Sequence, residues 1–391
     1  MLAGLLFATE EADDRPDTLA ATLPFGGMTL LEYQARLLIA AGVGQIVVAV
    51  ARVTPALLGA VNRAGKRGVP IDVVRSAQEA TQQIHPEATV IALADGLVTA
   101  EPVIEKLAAE GGAALLVTRD GDSPAALERI DAHVFWAGVA RIPAHALGEV
   151  ARMPRDYDFQ SLLLRVAAQA GAEQLVLHPS WENGGHAIER NAEALIARSS
   201  TVIASLAARR ANWADRWVYA SAARSLLPQL IERGIGGWTL ELGGVVLAGL
   251  GFAADWFRYL GVGSVLAVAA AALFASASSL ASLRGEGRRA EVDEGLIAVT
   301  MAAGLLLPGW IERVATGTDT PLLLAVVAVL VAVLGERATR KPRRWWGSPA
   351  TYLLLLSPFA LGGFLTAGLA LVSLYGFCTL TGAVEALREK A

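Results

Sequence analysis

GVGSVLAVAAAALFASASSL, residues Gly261–Leu280, is an apolar run of twenty residues. A helix needs ~20 such residues to cross the ~30 Å hydrocarbon core of a bilayer. Similar runs lie on both sides of it, the third and fourth being shorter. They are Trp238–Phe257, Gly261–Leu280, Gly295–Trp310, Pro321–Gly335, Ala350–Ala367 and Gly368–Leu387. The sequence therefore predicts an all-α transmembrane domain of six helices over residues 236–391.

Basic residues stand at alternate connections between these runs. The first and third connections hold only Arg258 and Arg313, whereas the second and fourth hold Arg284, Arg288, Arg289, Arg337, Arg340, Lys341, Arg343 and Arg344. Because basic loops stay in the cytoplasm, we expect a multi-pass protein of the inner (cytoplasmic) membrane with its N-terminal domain and C-terminus both cytoplasmic. The 54% content of hydrophobic residues agrees with a membrane protein.

Cysteine and histidine usage argues against a metal site. Cys378 is the single cysteine and lies in the last predicted span, so a disulfide framework and a cysteine metal cluster are both excluded. No two of the five histidines stand at the short spacing of a metal pair. The first residues, MLAGLLFATEEADDRP, lack a basic n-region, and we expect no signal peptide there.

The first half alternates short apolar runs with amphipathic stretches, which is typical of a βαβ arrangement. We predict strands at Ala3–Ala8, Gln45–Val50, Ile71–Val74, Thr89–Leu93 and Ala113–Thr118, and helices at Thr29–Ala41, Pro55–Ala64 and Ala100–Ala109. This pattern predicts an α/β Rossmann-like domain over residues 1–195, with a mostly parallel sheet covered by helices.

Asp95 follows one of these strands. Ligands of open α/β sheets bind outside the carboxyl ends of strands, so Asp95 is a candidate site residue. The alternative is a plain Asp-Gly turn with Gly96, and position alone favours it.

Residues 196–235 are predicted to form a helical linker followed by an interfacial helix. Between Trp213 and Arg233 arginines alternate with tryptophans, which suits a helix lying along the cytoplasmic leaflet. The alternative is a soluble helix that packs on the first domain.

LPFGGMTLLEYQARLLIAAGVGQIVVAV, Leu23–Val50, resembles the segment that follows the signature loop of MobA-like and sugar-phosphate nucleotidyltransferases. LADGLVTAEPVIEKL, Leu93–Leu107, resembles the strand end that carries a metal-binding aspartate in that family, and FWAGVARIPAHAL, Phe135–Leu147, a later strand and helix. The resemblance implies a nucleotidyltransferase-type fold, with Asp95 as a retained carboxylate and Glu189 as the acid at the second metal position.

The rest of that family's site is missing. Its Gly-rich loop, which cradles a triphosphate, corresponds here to ATEEADDRPDTLAATLP, which has no glycine and five acids. Acidic side chains repel a triphosphate, so we expect no nucleotide transfer from this loop. His186 lies near the second metal position, but a lone histidine in a Gly-rich loop is more often a surface residue.

GGWTLELGGVVLAGLGF, Gly236–Phe252, is similar to the first span of CDP-alcohol phosphatidyltransferases, a family also found fused behind a nucleotidyltransferase domain. Their four aspartates hold divalent metals on the second and third spans. When the family's arginine is aligned with Arg284, Ser276 and Ser279 stand at the first two aspartates, and Leu296–Leu307 contains no acid. The resemblance thus implies the scaffold without its catalytic motif.

Other candidate residues lie near the membrane face. Glu241 is one turn into the first span, where Arg284 or Arg288 could pair with it; the alternative is a carboxylate solvated among headgroups. The mixed run Gly285–Glu294 is interpreted as a solvated loop. The basic cluster Arg340, Lys341, Arg343 and Arg344 is a candidate contact for lipid headgroups, or simply a topology determinant.

The leading hypothesis is a membrane protein of polar-lipid (phospholipid headgroup) metabolism with both catalytic sites degenerate and a binding, assembly or regulatory role. It needs no metal or other cofactor, and its expected partners are membrane lipids and either a second copy or a lipid-biosynthesis protein, not nucleic acid. The alternative is an active headgroup transferase that uses Mg²⁺ with Asp95, Glu241, Glu291 or Asp293. A transporter is disfavoured by the lack of an inverted repeat.

Overall fold

The computed structural model describes residues 1–109, 111–119, 127–154, 157–182, 184–209, 212–219, 221, 237–338 and 343–388. These form two compact units, Met1–Val202 and Ile203–Ala391. The first unit is an α/β domain and the second is helical.

The N-terminal unit is built on an eight-stranded sheet, with three small two-stranded pairs beside it. Its strands are β1 Leu2–Ala8, β2 Glu11–Ala12, β3 Arg15–Leu19, β4 Pro24–Phe25, β5 Met28–Thr29, β6 Gln45–Val50, β7 Ile71–Val74, β8 Thr89–Leu93, β9 Leu97–Val98, β10 Ala114–Thr118, β11 Arg129–Asp131, β12 Val134–Pro143, β13 Glu173–Val176 and β14 Ala187–Ile188. Its helices are α1 Leu30–Ala40, α2 Pro55–Gly65, α3 Ala77–Gln83, α4 Glu101–Ala108, α5 His145–Ala151, α6 Phe159–Gln169, α7 Pro179–Glu182 and α8 Ala192–Arg209.

The main sheet has the strand order β13-β10-β12-β8-β1-β6-β7, with β11 paired to β12. β1 pairs in parallel with both β6 and β8, and β6 pairs in parallel with β7. β12 instead runs antiparallel to both β8 and β10, so the sheet is mixed. The predicted alternation of strands and helices is confirmed, and the carboxyl ends of β1, β6, β7 and β8 lie at one edge.

Hydrogen bonds at the N-terminus of helix α1 set where the helix begins and hold it against α2. The Thr29 hydroxyl accepts a hydrogen bond from the Glu32 amide, and the Glu32 carboxylate accepts one from the Thr29 amide, which is a capping box. The same carboxylate accepts two hydrogen bonds of 2.9 Å from the Arg63 guanidinium of α2. The apolar face of α1 is thereby held on the buried β1 strand.

The part of the second unit that the structure describes contains six apolar helices, namely α9 Gly237–Trp256, α10 Leu260–Arg284, α11 Gly287–Thr316, α12 Thr320–Ala338, α13 Pro349–Leu361 and α14 Leu365–Arg388. Among the described residues, five are long and apolar enough to cross a membrane, and α13 is a shorter apolar helix. The chain is therefore a multi-pass membrane protein, but the predicted count of six spans is not confirmed.

The fifth predicted span, Ala350–Ala367, extends too far at its carboxyl end. Gly363 has a φ of 77°, and the turn at residues 362–364 ends α13 well before Ala367. The thirteen residues of α13 extend over ~20 Å, less than the ~30 Å of hydrocarbon. The third predicted span was too short, because α11 has thirty residues.

The helices pack closely through small residues. Gly244 of α9 leaves room for the ring of Phe274, whose nearest atom lies 2.5 Å from where a Cβ would stand. Phe274, Ile297, Met301 and Leu353 belong to one buried apolar cluster that joins α10, α11 and α13. Such close approach supplies the van der Waals contact that holds membrane helices together.

Exposed tryptophans mark the two ends of α9. Trp238 is 59% exposed and Trp256 is 63% exposed, and the eighteen residue steps from one to the other correspond to roughly 27 Å of helix. Trp310 of α11 stacks on Trp256 with ring centroids 6.0 Å apart. Tryptophans at this spacing fit the two interfacial layers of a bilayer.

Candidate functional site

Asp95 lies where the order of the sheet reverses. β1 continues along the chain to β6 on one side and pairs with β8 on the other, so a crevice is expected between the carboxyl ends of β1 and β8. Asp95 stands two residues after β8, and its Oδ2 atom accepts hydrogen bonds from the backbone amides of Thr9 (2.7 Å) and Glu10 (2.8 Å). The first residues after β1 therefore close the crevice.

The Asp95 carboxylate is buried. Its residue is 1% exposed, and its Oδ1 atom has no hydrogen-bond partner among the described residues. Burial raises the pKa of Asp95 from 3.8 to about 7, against the lowering effect of the Glu10 and Thr9 amides and of the nearby Arg190 charge. A side chain in this state is poorly placed to bind Mg²⁺, because a metal ligand must be ionised and reachable.

The connection from β1 to α1 forms a hairpin rather than a phosphate cradle. We call residues Thr9–Leu19, which contain β2 and β3, the β1 loop. Four of its five acidic side chains have a partner among the described residues: Glu10 pairs with Arg190 at 3.0 Å, Glu11 with Arg52 at 2.9 Å, Asp17 with Arg52 at 3.5 Å, and Asp14 accepts a 3.1 Å hydrogen bond from the Ala192 amide. The acids predicted to repel a triphosphate thus serve to fold the loop.

Glu189, the acid that the resemblance places at a second metal position, is held in an ion pair. Its Oε1 atom lies 3.1 Å from Nε of Arg198, and its backbone amide donates to the carbonyl of Gly96. Among the described residues, no three His, Cys, Asp or Glu side chains are grouped so as to hold a metal ion.

His186 is buried, so the expectation of a surface histidine is wrong. Its Nε2 atom lies 2.8 Å from the carbonyl oxygen of Ala137, and its Nδ1 atom 2.8 Å from the Thr99 hydroxyl. Since a carbonyl only accepts, Nε2 carries the proton and Nδ1 accepts from Thr99. Burial lowers the pKa of His186 to about 4, against the opposing hydrogen bond to Ala137, and the ring joins β12 to the segment after β9.

An open cleft of about 570 Å³ lies beside the closed crevice, at the carboxyl ends of β1, β6 and β7. Its polar lining includes Thr9, Glu10, Arg75, Glu79 and Asp158. Three of these five side chains are acidic and one is basic. The sequence did not indicate this cleft, because its walls come from four separate segments that only the fold brings together.

In the membrane unit, Ser276 and Ser279 are the residues that the resemblance aligns with two metal-binding aspartates. Ser276 and Ser279 are buried in α10, and each hydroxyl donates a 2.8 Å hydrogen bond to a carbonyl one turn earlier, those of Ala272 and Ala275. On α11, Ile297 and Met301 are buried and apolar. Neutral hydroxyls among apolar side chains do not hold divalent metals.

The acidic run after α10 is not a solvated loop. Gly285 has a φ of 70° and ends α10 in a tight turn, after which α11 begins at Gly287. Glu291 is exposed, whereas Asp293 is 1% exposed and points into the bundle. The prediction of a solvated loop is therefore wrong for Asp293.

The other candidates lie near the Trp238 end of the bundle. Glu241 is half-buried and has no ion-pair partner among the described residues, neither Arg284 nor Arg288. Arg284 lies at the end of α10 beside Gly237. Glu241 thus stands about one turn inside the Trp238 layer, which favours a carboxylate at headgroup depth.

The candidate lipid contacts are described in part, since Arg340 and Lys341 lie outside the described residues. The exposed Arg343 guanidinium lies 6.0 Å from the ring centroid of Trp346. The backbone carbonyl of Arg344 accepts a 3.0 Å hydrogen bond from the amide of Trp213.

Of the predicted interfacial helix, the structure describes residues 213–219 and 221, with a π-helical turn at Asp215–Tyr219. The Trp213 indole donates to the Tyr375 hydroxyl, and the Tyr219 hydroxyl donates to the Ala350 carbonyl. Trp217 is 72% exposed. The described part of this segment is therefore anchored on the membrane unit, and the Trp217 side chain is exposed.

No protein-family model matches this chain, and no curated protein matches it.

Proposed function

We propose that this chain is a catalytically degenerate relative of fused nucleotidyltransferase and CDP-alcohol phosphatidyltransferase proteins, with a binding, assembly or regulatory role in polar-lipid metabolism. One observation carries the proposal. Both places where a metal-held pyrophosphate needs carboxylates lack usable ones: Asp95 is enclosed by the β1 loop, and Ser276 and Ser279 are bound to their own helix.

The retained scaffold supports a fold of nucleotidyltransferase type for the first unit. The parallel core of β1, β6, β7 and β8 ends at one edge beside the 570 Å³ cleft. An α/β cleft of this size is suited to a small polar ligand. Its lining has an excess of acids, which does not favour a triphosphate.

We also propose six crossings for the membrane unit, with α13 completing the fifth. At its carboxyl end α13 packs on the start of α10, where a Cβ on Gly261 would lie 3.0 Å from the Leu361 Cα. The non-helical residues before α13 lie along α14, where the Gly347 amide donates to the Thr379 hydroxyl at 3.0 Å. Helix and preceding segment together supply the length that thirteen residues lack.

With six crossings, the first unit and the C-terminus lie on one side of the membrane. The basic residues at the ends of α10 and α12 favour the cytoplasm for that side. Trp345, Trp346 and the segment at Trp213 lie towards the same end of the bundle, in keeping with an interfacial layer that contacts headgroups.

A transfer assay tests the proposal. The purified full chain in phospholipid nanodiscs is incubated with a labelled CDP-alcohol and Mg²⁺, with empty nanodiscs and an EDTA sample as controls. We expect no transfer above the empty nanodiscs, and native mass spectrometry should detect a retained phospholipid. Mg²⁺-dependent formation of a labelled lipid would overturn the proposal.

The second candidate is an active transferase with non-standard residues. Asp293 favours it, because this acid, one of those that the alternative would use, is a buried carboxylate near the start of α11. If transfer is detected, Asp95→Ala and Glu241→Gln should each abolish it. Transfer retained in both variants would exclude these two residues from the chemistry.

A further inference from the structure

The backbones of α9 and α10 approach each other closely near the Trp256 end of the bundle. A Cβ on Gly251 would lie 3.0 Å from the carbonyl oxygen of Gly263, and a Cβ on Gly263 would lie 2.8 Å from the carbonyl oxygen of Gly251. The two helices therefore meet backbone to backbone, as small residues allow in membranes. Asp255 follows Gly251 by one helical turn, and its carboxyl group fills the space in front of Gly263.

The Asp255 carboxyl group is enclosed at this crossing. The residue is 1% exposed, although its neighbour Trp256 is 63% exposed. Its Oδ1 atom has no hydrogen-bond partner among the described residues. The Gly251 carbonyl oxygen crowds the same point as Oδ1, and a carbonyl oxygen only accepts. Two acceptor oxygens side by side repel each other unless a proton lies between them.

No opposite charge compensates this carboxyl group. The titratable side chains of the turn before α10 and of the last turns of α11 are Arg258, Tyr259, Glu312 and Arg313. Among the described residues none of them forms an ion pair or hydrogen bond with Asp255, and Arg313 pairs instead with Asp319 at 2.6 Å. The end of α13 that packs on α10 carries no titratable side chain. Asp255 also lies in the last turn of α9, where the helix dipole disfavours a negative charge.

We propose that Asp255 is a proton-binding site that holds α9 against α10. The protonated carboxyl group donates a hydrogen bond to the Gly251 carbonyl one turn earlier, as serine and threonine hydroxyls do in helices. Loss of the proton leaves a buried charge beside a second acceptor, and separation of the helices at this point lets water hydrate that charge. The inference does not depend on the proposed function.

A proton fits this site better than a metal ion does. One carboxylate and one carbonyl are too few oxygens for a divalent cation, which takes six or more. The position of Trp256 in an interfacial layer brings the site within reach of the aqueous phase at that end of the bundle. The pH at the Trp256 end therefore controls how firmly the two helices are held together.

Infrared difference spectroscopy of the full chain in nanodiscs tests for the proton, because a protonated carboxyl group absorbs apart from carboxylate and amide groups. The spectrum of Asp255→Asn is subtracted from that of the natural chain at pH 6. We expect the variant to lose one protonated-carboxyl band, which shifts in D₂O. Glu241→Gln, which removes the other acid of α9, is the matched control and should keep the band. Loss of a carboxylate band in Asp255→Asn would overturn the proposal.

Hydrogen exchange in the last turn of α9 tests the hold on α10, with rates corrected for the intrinsic effect of pH. Opening that releases one proton becomes about tenfold more frequent for each pH unit over which the closed form keeps its proton. We therefore expect about tenfold lower protection of residues 253–257 at pH 7 than at pH 6 in the natural chain and in Glu241→Gln. Asp255→Asn keeps a donor for the Gly251 carbonyl and should give equal protection at both pH values.

Two exchange results would overturn the proposal. One is a natural chain in which protection of residues 253–257 does not change between pH 6 and pH 7, a result that needs no variant to fold. The other is an Asp255→Asn chain with the same pH dependence as the natural chain, since the proton responsible would then lie elsewhere.

Discussion

Replacement of Asp95 by asparagine should change how the stability of the first unit depends on pH. The folded-state pKa of Asp95 lies above its unfolded value, so the folded state binds the proton more tightly and stability falls as the pH rises. The rise from 3.8 to about 7 corresponds to roughly 4 kcal/mol in total at 1.36 kcal/mol for each unit. About 2.5 kcal/mol of this is lost between pH 5 and pH 8.

The measurement is pulse proteolysis of the full chain in nanodiscs across a urea series at pH 5 and pH 8, which follows loss of the folded first unit. Other groups also titrate, so the informative quantity is the change in unfolding free energy of the natural chain minus that of Asp95→Asn. Asp131→Asn, at an exposed position, is the control for the substitution itself.

A difference near zero between the natural chain and Asp95→Asn would refute the reasoning. It would mean that the crevice admits enough water, or that Arg190 supplies enough attraction, to cancel the cost of burying the charge. A natural chain that becomes more stable than the variant as the pH rises would refute the sign as well.

Three further predictions concern the packing and the membrane topology. His186→Ala should lower the unfolding free energy by about 3 kcal/mol, because it removes two buried hydrogen bonds and leaves a cavity. The urea midpoint measures this change. A loss below about 0.5 kcal/mol would fit a surface residue instead. Gly263→Ala should lower the thermal aggregation temperature in detergent, because its Cβ would collide with the Asp255 carboxylate, whereas Gly249→Ala meets nothing within 4 Å and should be neutral. A reporter fused to the C-terminus should lie on the same side as one at the N-terminus, and opposite sides would indicate an odd number of crossings.

Local patterns predicted the elements of the fold well. The strand at Gln45–Val50 and the helix that begins after Thr29 have the predicted positions, because apolar runs and a capping threonine are local signals. The predictions were wrong where the boundary of an element depends on a turn that hydrophobicity does not reveal. Gly362 and Gly363 are apolar by composition but form a turn, and the charges after Gly285 form helix α11 because a left-handed glycine makes the preceding turn tight.

The sequence predicted the position of the candidate site residue Asp95, but not the groups that surround it. Asp95 follows a buried strand, which placed it at the edge of the sheet. Its enclosure depends on amides 86 and 85 residues earlier in the chain, and that of His186 on partners 87 and 49 residues away. Partners so distant are set by the strand order, including the antiparallel β12, which no local pattern specified.

The tryptophan layers of α9 also bear on where in a membrane this protein resides. Layers roughly 27 Å apart match a bilayer slightly thinner than average. A membrane with long acyl chains or much sterol would be thicker than the hydrophobic length of the protein. Tilting cannot relieve this mismatch, since a tilted helix spans a smaller thickness. Lipid acyl-chain length should therefore set both the lateral sorting of the protein and the bilayers in which it is most stable.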